Sequence, residues 1–345
     1  GAAQSLDRGL PVLETRISLI RPDGPYYRGR SAVAMARAGA TLEDTARLLW
    51  DCGSPAPFAD PPGDWPARVV ALATDPELPP LARAMAVIPL LALQVPHSFQ
   101  ADQATRRALA ATLLRQNAGL LVARRPSGPV HRLLAGTWCP GDEGFAELVR
   151  AALVLCADHE LNVSAFAARV VASTGAHLHA TVCAGLSALA GPRHGGATAR
   201  VYALLEDARQ TRDVKRLIAA RWRQGEDLPG FGHALYPDGD PRATELLAML
   251  RTQPVAEAPM QLVEEVVAAA EGVSERRPNV DFMLAAICYV YGLPAAPALS
   301  IFAAGRLAGW LAHVLEQQAL GRLIRPRASY TGLPPESGED SAPRA

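Results

Sequence analysis

The stretch Gly191-Pro192-Arg193-His194-Gly195-Gly196-Ala197 places one histidine in a loop between two helix-like segments. Proline restricts the approach of the chain and the paired glycines carry no side chain, so a ligand can come close to the backbone beside the imidazole. A Gly-Gly pair after a helix also makes an ordinary turn, in which a histidine commonly caps or packs. The surrounding sequence has to decide between these two interpretations.

Helical patterns dominate the chain on both sides of this loop. Before it, the segments 163–175 and 177–190 are apolar nearly all round, which predicts two helices at the centre of a large bundle. After it, the segments between 197 and 271 alternate charged and apolar faces, which predicts thinner and more solvated packing. The apolar character then returns and continues to residue 318.

These changes of pattern predict an all-α fold with two domains. The only convincing strand signal is the stretch 10–30, which alternates apolar and polar residues, turns at Asp23-Gly24 and so predicts a short hairpin. Because histidines lie at the domain boundary, we expect a cleft that opens and closes. The predicted parts are a large helical domain over 1–192 and 282–332, a small inserted helical domain over 193–281, and a polar, proline-rich, disordered tail over 333–345.

Composition limits the classes of function. Lys plus Arg and Asp plus Glu both number 34, so no net positive charge attracts nucleic acid or an anionic membrane. The chain shows no signal-peptide pattern and no run approaching the roughly 18 uncharged apolar residues of a membrane span. Its five cysteines are scattered without metal-ligand spacing, which predicts free thiols in a reducing compartment. We therefore expect a cytoplasmic protein with no metal, no nucleic-acid partner and no membrane contact.

Three further segments place a titratable or cationic group beside loop-making residues. Singly, each has a plain structural interpretation, such as a helix cap or a turn. Asp281 is the most informative, because Asn279 is a good N-cap and puts this carboxylate in a first helical turn, where free amides favour its ionised form. Between Val280 and Phe282 it would be a partly desolvated base, as abstraction of a weakly acidic C–H proton requires. The segments are Asp158-His159-Glu160-Leu161-Asn162, Pro229-Gly230-Phe231-Gly232-His233 with Asp240-Pro241-Arg242, and Arg277-Pro278-Asn279-Val280-Asp281-Phe282.

Taken together, these motifs resemble the citrate synthase family. The resemblance is carried by the three segments in this order, by the Gly-Pro-x-His-Gly-Gly-Ala loop, and by Gly-Arg-Leu-Ile-Arg-Pro-Arg with Tyr-Thr-Gly over 321–332. It covers nearly the whole chain and is weakest between about 53 and 145. It implies a two-domain helical fold with an N-terminal β-hairpin, and an acyltransferase that condenses acetyl-CoA with oxaloacetate and hydrolyses citryl-CoA to citrate and CoA.

The resemblance also assigns the chemistry to three residues. Asp281 would be the base, and His194 would hydrogen-bond the thioester oxygen as the enol forms. His233 would polarise the ketone of oxaloacetate and donate to the developing alkoxide. No cofactor is implied, because the CoA thioester is itself a substrate.

Four more residues would bind the two carboxylates of oxaloacetate. His159, Arg242 and Arg306 would do so within one subunit, and bidentate arginine suits this task. Arg325 matches an arginine that the family supplies from the partner subunit. The resemblance therefore implies a homodimer, and the apolar helices between 163 and 190 suit either its interface or the core of a single chain.

Three questions stay open at this stage. The motifs do not separate acetyl-CoA from propionyl-CoA, the donor of a 2-methylcitrate synthase, since one methylene in an apolar pocket is worth only about 1 to 3 kcal/mol. A non-catalytic module that binds a dicarboxylate or a CoA ester is the alternative of a different class. Ala234 and Pro237 favour it, because the family commonly has basic residues there near the CoA phosphates, whereas the intact catalytic positions argue against it. The chain also begins at Gly1 without a methionine, which leaves open an upstream segment.

Overall fold

The computed structural model describes residues 13–53, 56–95, 102–328 and 330–333. Within these ranges the protein is mostly helical, with one small antiparallel sheet. The strands are β1 Ser18–Arg21, β2 Gly24–Tyr27 and β3 Arg30–Ser31, and the helices are α1 Ala32–Arg37, α2 Leu42–Leu49, α3 Val70–Ala73, α4 Pro80–Ala92, α5 Gln103–Leu121, α6 Val130–Trp138, α7 Glu143–Cys156, α8 Val163–Ser173, α9 Leu178–Leu189, α10 Ala197–Gln210, α11 Val214–Arg223, α12 Pro241–Arg251, α13 Glu257–Ser274, α14 Val280–Val290 and α15 Ala296–Leu320.

The predicted hairpin is confirmed. Strands β1 and β2 pair in antiparallel register from Ser18 opposite Tyr27 to Arg21 opposite Gly24, and β3 adds a third strand that the sequence did not predict. The tail predicted from residue 333 lies outside the described residues except for Leu333, which is 84% exposed.

Helix α15 is the centre of the fold. It packs against α2, α5, α7, α8, α9 and α14 and is buried over most of its length. Its length and composition would allow it to cross a membrane, but 89% of its most apolar 18-residue window is buried inside the protein. Glycines let the end of α7 approach it directly: the Gly309 amide donates to Ala157 O at 2.9 Å, and a Cβ on Gly305 would lie 2.8 Å from Leu153 O. The loop that follows α7 is thereby held against α15.

Helices α8 and α9, which the apolar segments 163–175 and 177–190 predict, lie against the central helix α15. Helices α8 and α9 pack against each other and against α15, but both leave apolar side chains only partly covered, and Val163 is 68% exposed. Apolar periodicity shows that a helix has an apolar surface to bury, but it does not show which helix packs against that surface. In this structure α15 is the helix at the centre.

The helices after the His194 loop have the thinner packing that their charged faces predict. Helix α11 buries only Val214 and Ile218 along its ten residues and packs against α13, which also contacts α10. Helix α14 is buried at ten of its eleven positions and contacts α10, α12 and α15. The N-terminus of α14 therefore lies where these helices meet the central helix. The division of the chain at 193 and 281 stays a prediction.

Candidate active site

Six of the seven predicted site residues are grouped around Arg306, whose guanidinium lies within electrostatic reach of the other five. The guanidinium groups of Arg242 and Arg306 act on the imidazoles of His159 and His233 and on the carboxylate of Asp281. The Arg306 group also acts on His194. The three histidines lie in loops: His159 after α7, His194 before α10 and His233 before α12. Arg242 and Asp281 lie at the starts of α12 and α14, and Arg306 lies inside α15.

The loop that carries His233 is attached to the start of α14 through the backbone. Gly232 N donates to Arg277 O and Asn279 N donates to Gly230 O, both at 2.8 Å. Gly230 has a φ of 81°, and a Cβ there would lie 2.8 Å from Phe282 Cβ. Only glycine suits both the conformation and the close approach. The imidazole of His233 and the carboxylate that follows Asn279 in α14 are thus held by one local structure.

The tautomer of His233 follows from a backbone contact. Leu235 N donates to His233 Nδ1 at 3.1 Å, so Nδ1 accepts and the proton of the neutral ring lies on Nε2. Burial, together with the Arg242 guanidinium, lowers the pKa of His233 to about 4. At neutral pH the ring is therefore a neutral hydrogen-bond donor through Nε2.

Arg242 is held by a carboxylate at the start of its own helix. Asp240 caps α12, accepts from Arg242 Nε at 2.9 Å and Nη2 at 2.8 Å, and also accepts from Val280 N at 3.0 Å. Burial alone would raise the pKa of Asp240, but the Arg242 guanidinium outweighs it and the pKa is lowered. This buried ion pair fixes the guanidinium beside the start of α14.

Asp281 lies in the first turn of α14, as predicted. Asn279 is the N-cap, and its Oδ1 accepts from Asp281 N at 3.0 Å and from Phe282 N at 3.2 Å. Burial raises the pKa of the Asp281 carboxyl to about 6, against the opposing effect of Arg242 and Arg306. A carboxylate with such a pKa is ionised at neutral pH and is still a stronger base than an exposed aspartate.

His194 is anchored by a serine that the sequence analysis did not single out. Ser164 Oγ lies 2.8 Å from His194 Nε2 and accepts from Trp310 Nε1 at 3.0 Å. The single Ser164 hydroxyl proton also has Asn162 Oδ1 within 2.8 Å. When that proton is given to His194 Nε2 instead, the proton of the neutral ring lies on Nδ1, which can then donate to a ligand. Burial, followed by the charge of Arg306, lowers the pKa of His194 to about 4. His194 is therefore also neutral at neutral pH.

Arg306 has no carboxylate partner among the described residues. Its Nε donates to Cys156 O at 2.7 Å, and its guanidinium carbon lies 4.5 Å from the centre of the Phe302 ring. It is buried, and burial lowers its pKa. The buried Asp158 carboxylate acts on this guanidinium without forming an ion pair with it, so Arg306 can still bind an anionic ligand directly.

His159 lies in the loop after α7 and contacts Tyr236. The two side chains form a hydrogen bond of 2.9 Å through His159 Nε2, and the ring of His159 lies 5.1 Å from that of His233. Burial, followed by the charges of Arg242 and Arg306, lowers the pKa of His159 well below its ordinary value.

Arg325 is the one predicted site residue that lies outside this group. It is exposed in the segment after α15 and lines a cavity of about 790 Å³ formed with residues 13–16 and the end of α15. None of the other six residues lines that cavity. Its assignment to the partner subunit stays a prediction.

Sequence reasoning missed Tyr236, Ser164 and Trp310. Tyr236 follows His233 by three residues and Ser164 follows Asn162, the N-cap of α8, by two, but a tyrosine or serine near a motif is too common to be a signal on its own. Trp310 is 146 residues from the serine it contacts. Among the described residues there is no group of three or more His, Cys, Asp or Glu side chains arranged to hold a metal ion.

Comparison with known proteins relates the whole chain to one family. A family profile described as "Citrate synthase, C-terminal domain" matches residues 5–327. "Putative citrate synthase 2" of Mycobacterium tuberculosis is 39% identical over 204 residues, which is 57% of this chain and 54% of that protein. "2-Methylcitrate synthase" of Shewanella oneidensis is 34% identical over 192 residues, 55% of this chain and 51% of that protein. The chain thus spans about half the length of the curated relatives it matches.

A solved structure shows the same fold. Citrate synthase from the archaeon Thermoplasma acidophilum, in a ternary complex with carboxymethyl coenzyme A and oxaloacetate, superposes with a TM-score of 0.80 at 24% identity. The match covers 99% of each chain. The helical architecture described above is therefore a known one.

Proposed function

This chain belongs to the citrate synthase family, and on that premise we propose that it is an acyltransferase that condenses acetyl-CoA with oxaloacetate and releases citrate and CoA. The observation that carries the proposal is that the chain brings Asp281, His194 and His233 within electrostatic reach of the buried guanidinium of Arg306. The pKa of Asp281 is raised to about 6, while those of His194 and His233 are lowered to about 4. A site with one carboxylate base and two neutral imidazole donors suits enolisation followed by addition to a ketone.

Asp281 and His194 would carry the first step. The carboxylate removes a proton from the methyl group of the thioester, while the His194 N–H donates a hydrogen bond to the thioester oxygen. Neither action suffices alone, because the α-proton is very weakly acidic and the enolate charge needs a donor as it forms. Closure of the cleft would exclude water and strengthen both contacts.

His233 and the two buried arginines would carry the second step. The enol carbon forms a bond to the ketone carbon of oxaloacetate, and His233 Nε2–H donates to the oxygen on which negative charge develops. Arg306, with His159 and Arg242, would hold the carboxylates and so orient the ketone. Water then hydrolyses the thioester, which releases the CoA thiol.

The test is release of free CoA thiol by purified protein given acetyl-CoA and oxaloacetate. We expect oxaloacetate-dependent release that is lost in Asp281→Ala. Thiol release that does not depend on oxaloacetate, or that survives in the variant, would contradict the proposal. Binding of oxaloacetate without any release would instead favour a ligand-binding module.

Propionyl-CoA is the second donor to test, because one of the relatives is named 2-methylcitrate synthase. The assay is repeated with this thioester at matched concentration. The ratio of the two kcat/KM values assigns the donor, and a ratio near one defines an enzyme of mixed specificity.

We further propose that the enzyme is a homodimer in which Arg325 acts on the partner's site. The exposed position of Arg325, away from the other six residues, and the partly uncovered apolar side chains of α8 and α9 support this. Mixing inactive Arg325→Ala and Asp281→Ala subunits under exchanging conditions tests it. Each mixed dimer then has one intact site, so about a quarter of the wild-type activity should return. If Arg325 acted within its own chain, no activity would return.

A further inference from the structure

Tyr236 contacts three of the side chains assigned above to oxaloacetate. Its hydroxyl lies 2.9 Å from His159 Nε2, and its ring centre is 4.8 Å from that of His233. The guanidinium carbon of Arg242 lies 5.5 Å from the same ring centre. No other described aromatic side chain touches all three of these groups.

Burial keeps both partners of the hydrogen bond between Tyr236 and His159 in their neutral forms. The residue is 2% exposed, and burial raises the pKa of its hydroxyl to about 12. The imidazole of His159 is neutral, because its pKa lies well below the ordinary value. The hydrogen bond therefore joins a neutral phenol and a neutral imidazole. It fixes the rotation of the His159 ring, and without it His159 Nε2 would be a buried polar atom with no partner in this contact.

We propose that Tyr236 is a positioning residue for dicarboxylate binding, which it controls by holding His159 through its hydroxyl and Arg242 through its ring. This rests on the proposed function, in which His159 and Arg242 bind oxaloacetate. The hydroxyl and the ring have separable effects: the hydroxyl orients His159, whereas the ring supports His233 and Arg242.

Separable effects predict different kinetics for two variants. Tyr236→Phe keeps the ring and removes one neutral hydrogen bond, so KM and Kd for oxaloacetate should rise about 3- to 10-fold while kcat changes by a smaller factor. KM for the acyl-CoA should not follow. Tyr236→Leu also removes the ring beside His233, so kcat should fall as well. Tyr202→Phe is the matched control, because Tyr202 donates to Leu293 O at 2.7 Å and contacts none of these site residues.

A double-mutant cycle shows whether the hydroxyl acts through His159. In a His159→Ala background, Tyr236→Phe should have no further effect on the Kd for oxaloacetate measured by calorimetry. Additive effects, or an unchanged Kd in the single Tyr236→Phe variant, would overturn the inference. Because the Kd needs no turnover, a wild-type protein that binds oxaloacetate without releasing thiol would refute the proposed reaction and still test the role of Tyr236. A wild-type protein that fails to bind oxaloacetate would overturn both.

Discussion

Replacing Asp281 by asparagine should abolish turnover and make the protein more stable. The pKa of this carboxyl is raised from 3.8 to about 6, so burial disfavours the ionised form in the folded state. At about 1.4 kcal/mol per pH unit, this difference lowers the free energy of unfolding by about 2 to 3 kcal/mol, and the partial exposure of the Asp281 side chain favours the lower value. With unfolding entropy of about 2.1 cal/mol/K per residue, its removal in the variant corresponds to a rise in Tm of about 3 to 4 °C for 345 residues.

The pH dependence of this gain has a definite sign. A carboxyl whose folded pKa is raised stabilises the folded state most below its unfolded value of 3.8, and this contribution is lost as the pH rises through about 6. Asp281→Asn should therefore equal the wild type in stability near pH 4 and exceed it above pH 6.5. Denaturant unfolding at several pH values measures this, and thiol release measures the loss of turnover, expected at about 100-fold or more for a general base.

Asp240→Asn provides the opposite control. Its pKa is lowered because the Arg242 guanidinium outweighs the effect of burial, so removing its charge should destabilise the protein at neutral pH and leave a buried arginine unpaired. The reasoning would be refuted if Asp281→Asn were no more stable than the wild type at pH 7.5, or if the gain were the same at pH 4.

Three further predictions use other parts of the site and core. In the wild type, kcat/KM should fall about tenfold per pH unit below about pH 6, since the Asp281 base must be ionised; a limb centred below pH 5 would contradict this assignment. Ser164→Ala should lower kcat about tenfold with little change in KM for oxaloacetate, because His194 loses its anchor; thiol-release kinetics decide this, with exposed Ser187→Ala as the control. Gly185→Ala should cost about 1 to 3 kcal/mol of unfolding free energy, because its Cβ would lie 2.7 Å from the Trp310 ring, whereas a helical glycine with open space around it, such as Gly136, should tolerate alanine.

Local signals in the sequence predicted local structure well. Asp23-Gly24 predicted the hairpin, and Asn279 predicted the cap that places Asp281 in a first helical turn. These succeed because turns and caps depend on residues close together in the chain. The central place of α15 was not predictable in this way, because apolar faces do not specify their partners. Contacts such as Trp310 with Ser164 depend on the packing of distant helices and leave no pattern in either segment.

The raised pKa of the site carboxylate and the lowered pKa values of the site imidazoles have one physical cause. Desolvation disfavours whichever form is charged, so the same burial raises the pKa of Asp281 and lowers those of His194 and His233. The carboxylate proposed as the base thereby becomes more basic, and both imidazoles stay neutral at neutral pH. Burial also disfavours the charged form of the two site arginines. The charge of Arg242 is compensated by Asp240, whereas Arg306 forms no ion pair with a described carboxylate. Under the proposed function, a substrate carboxylate would supply the anion that Arg306 lacks, so the cost of burying this guanidinium would become a preference for an anionic substrate.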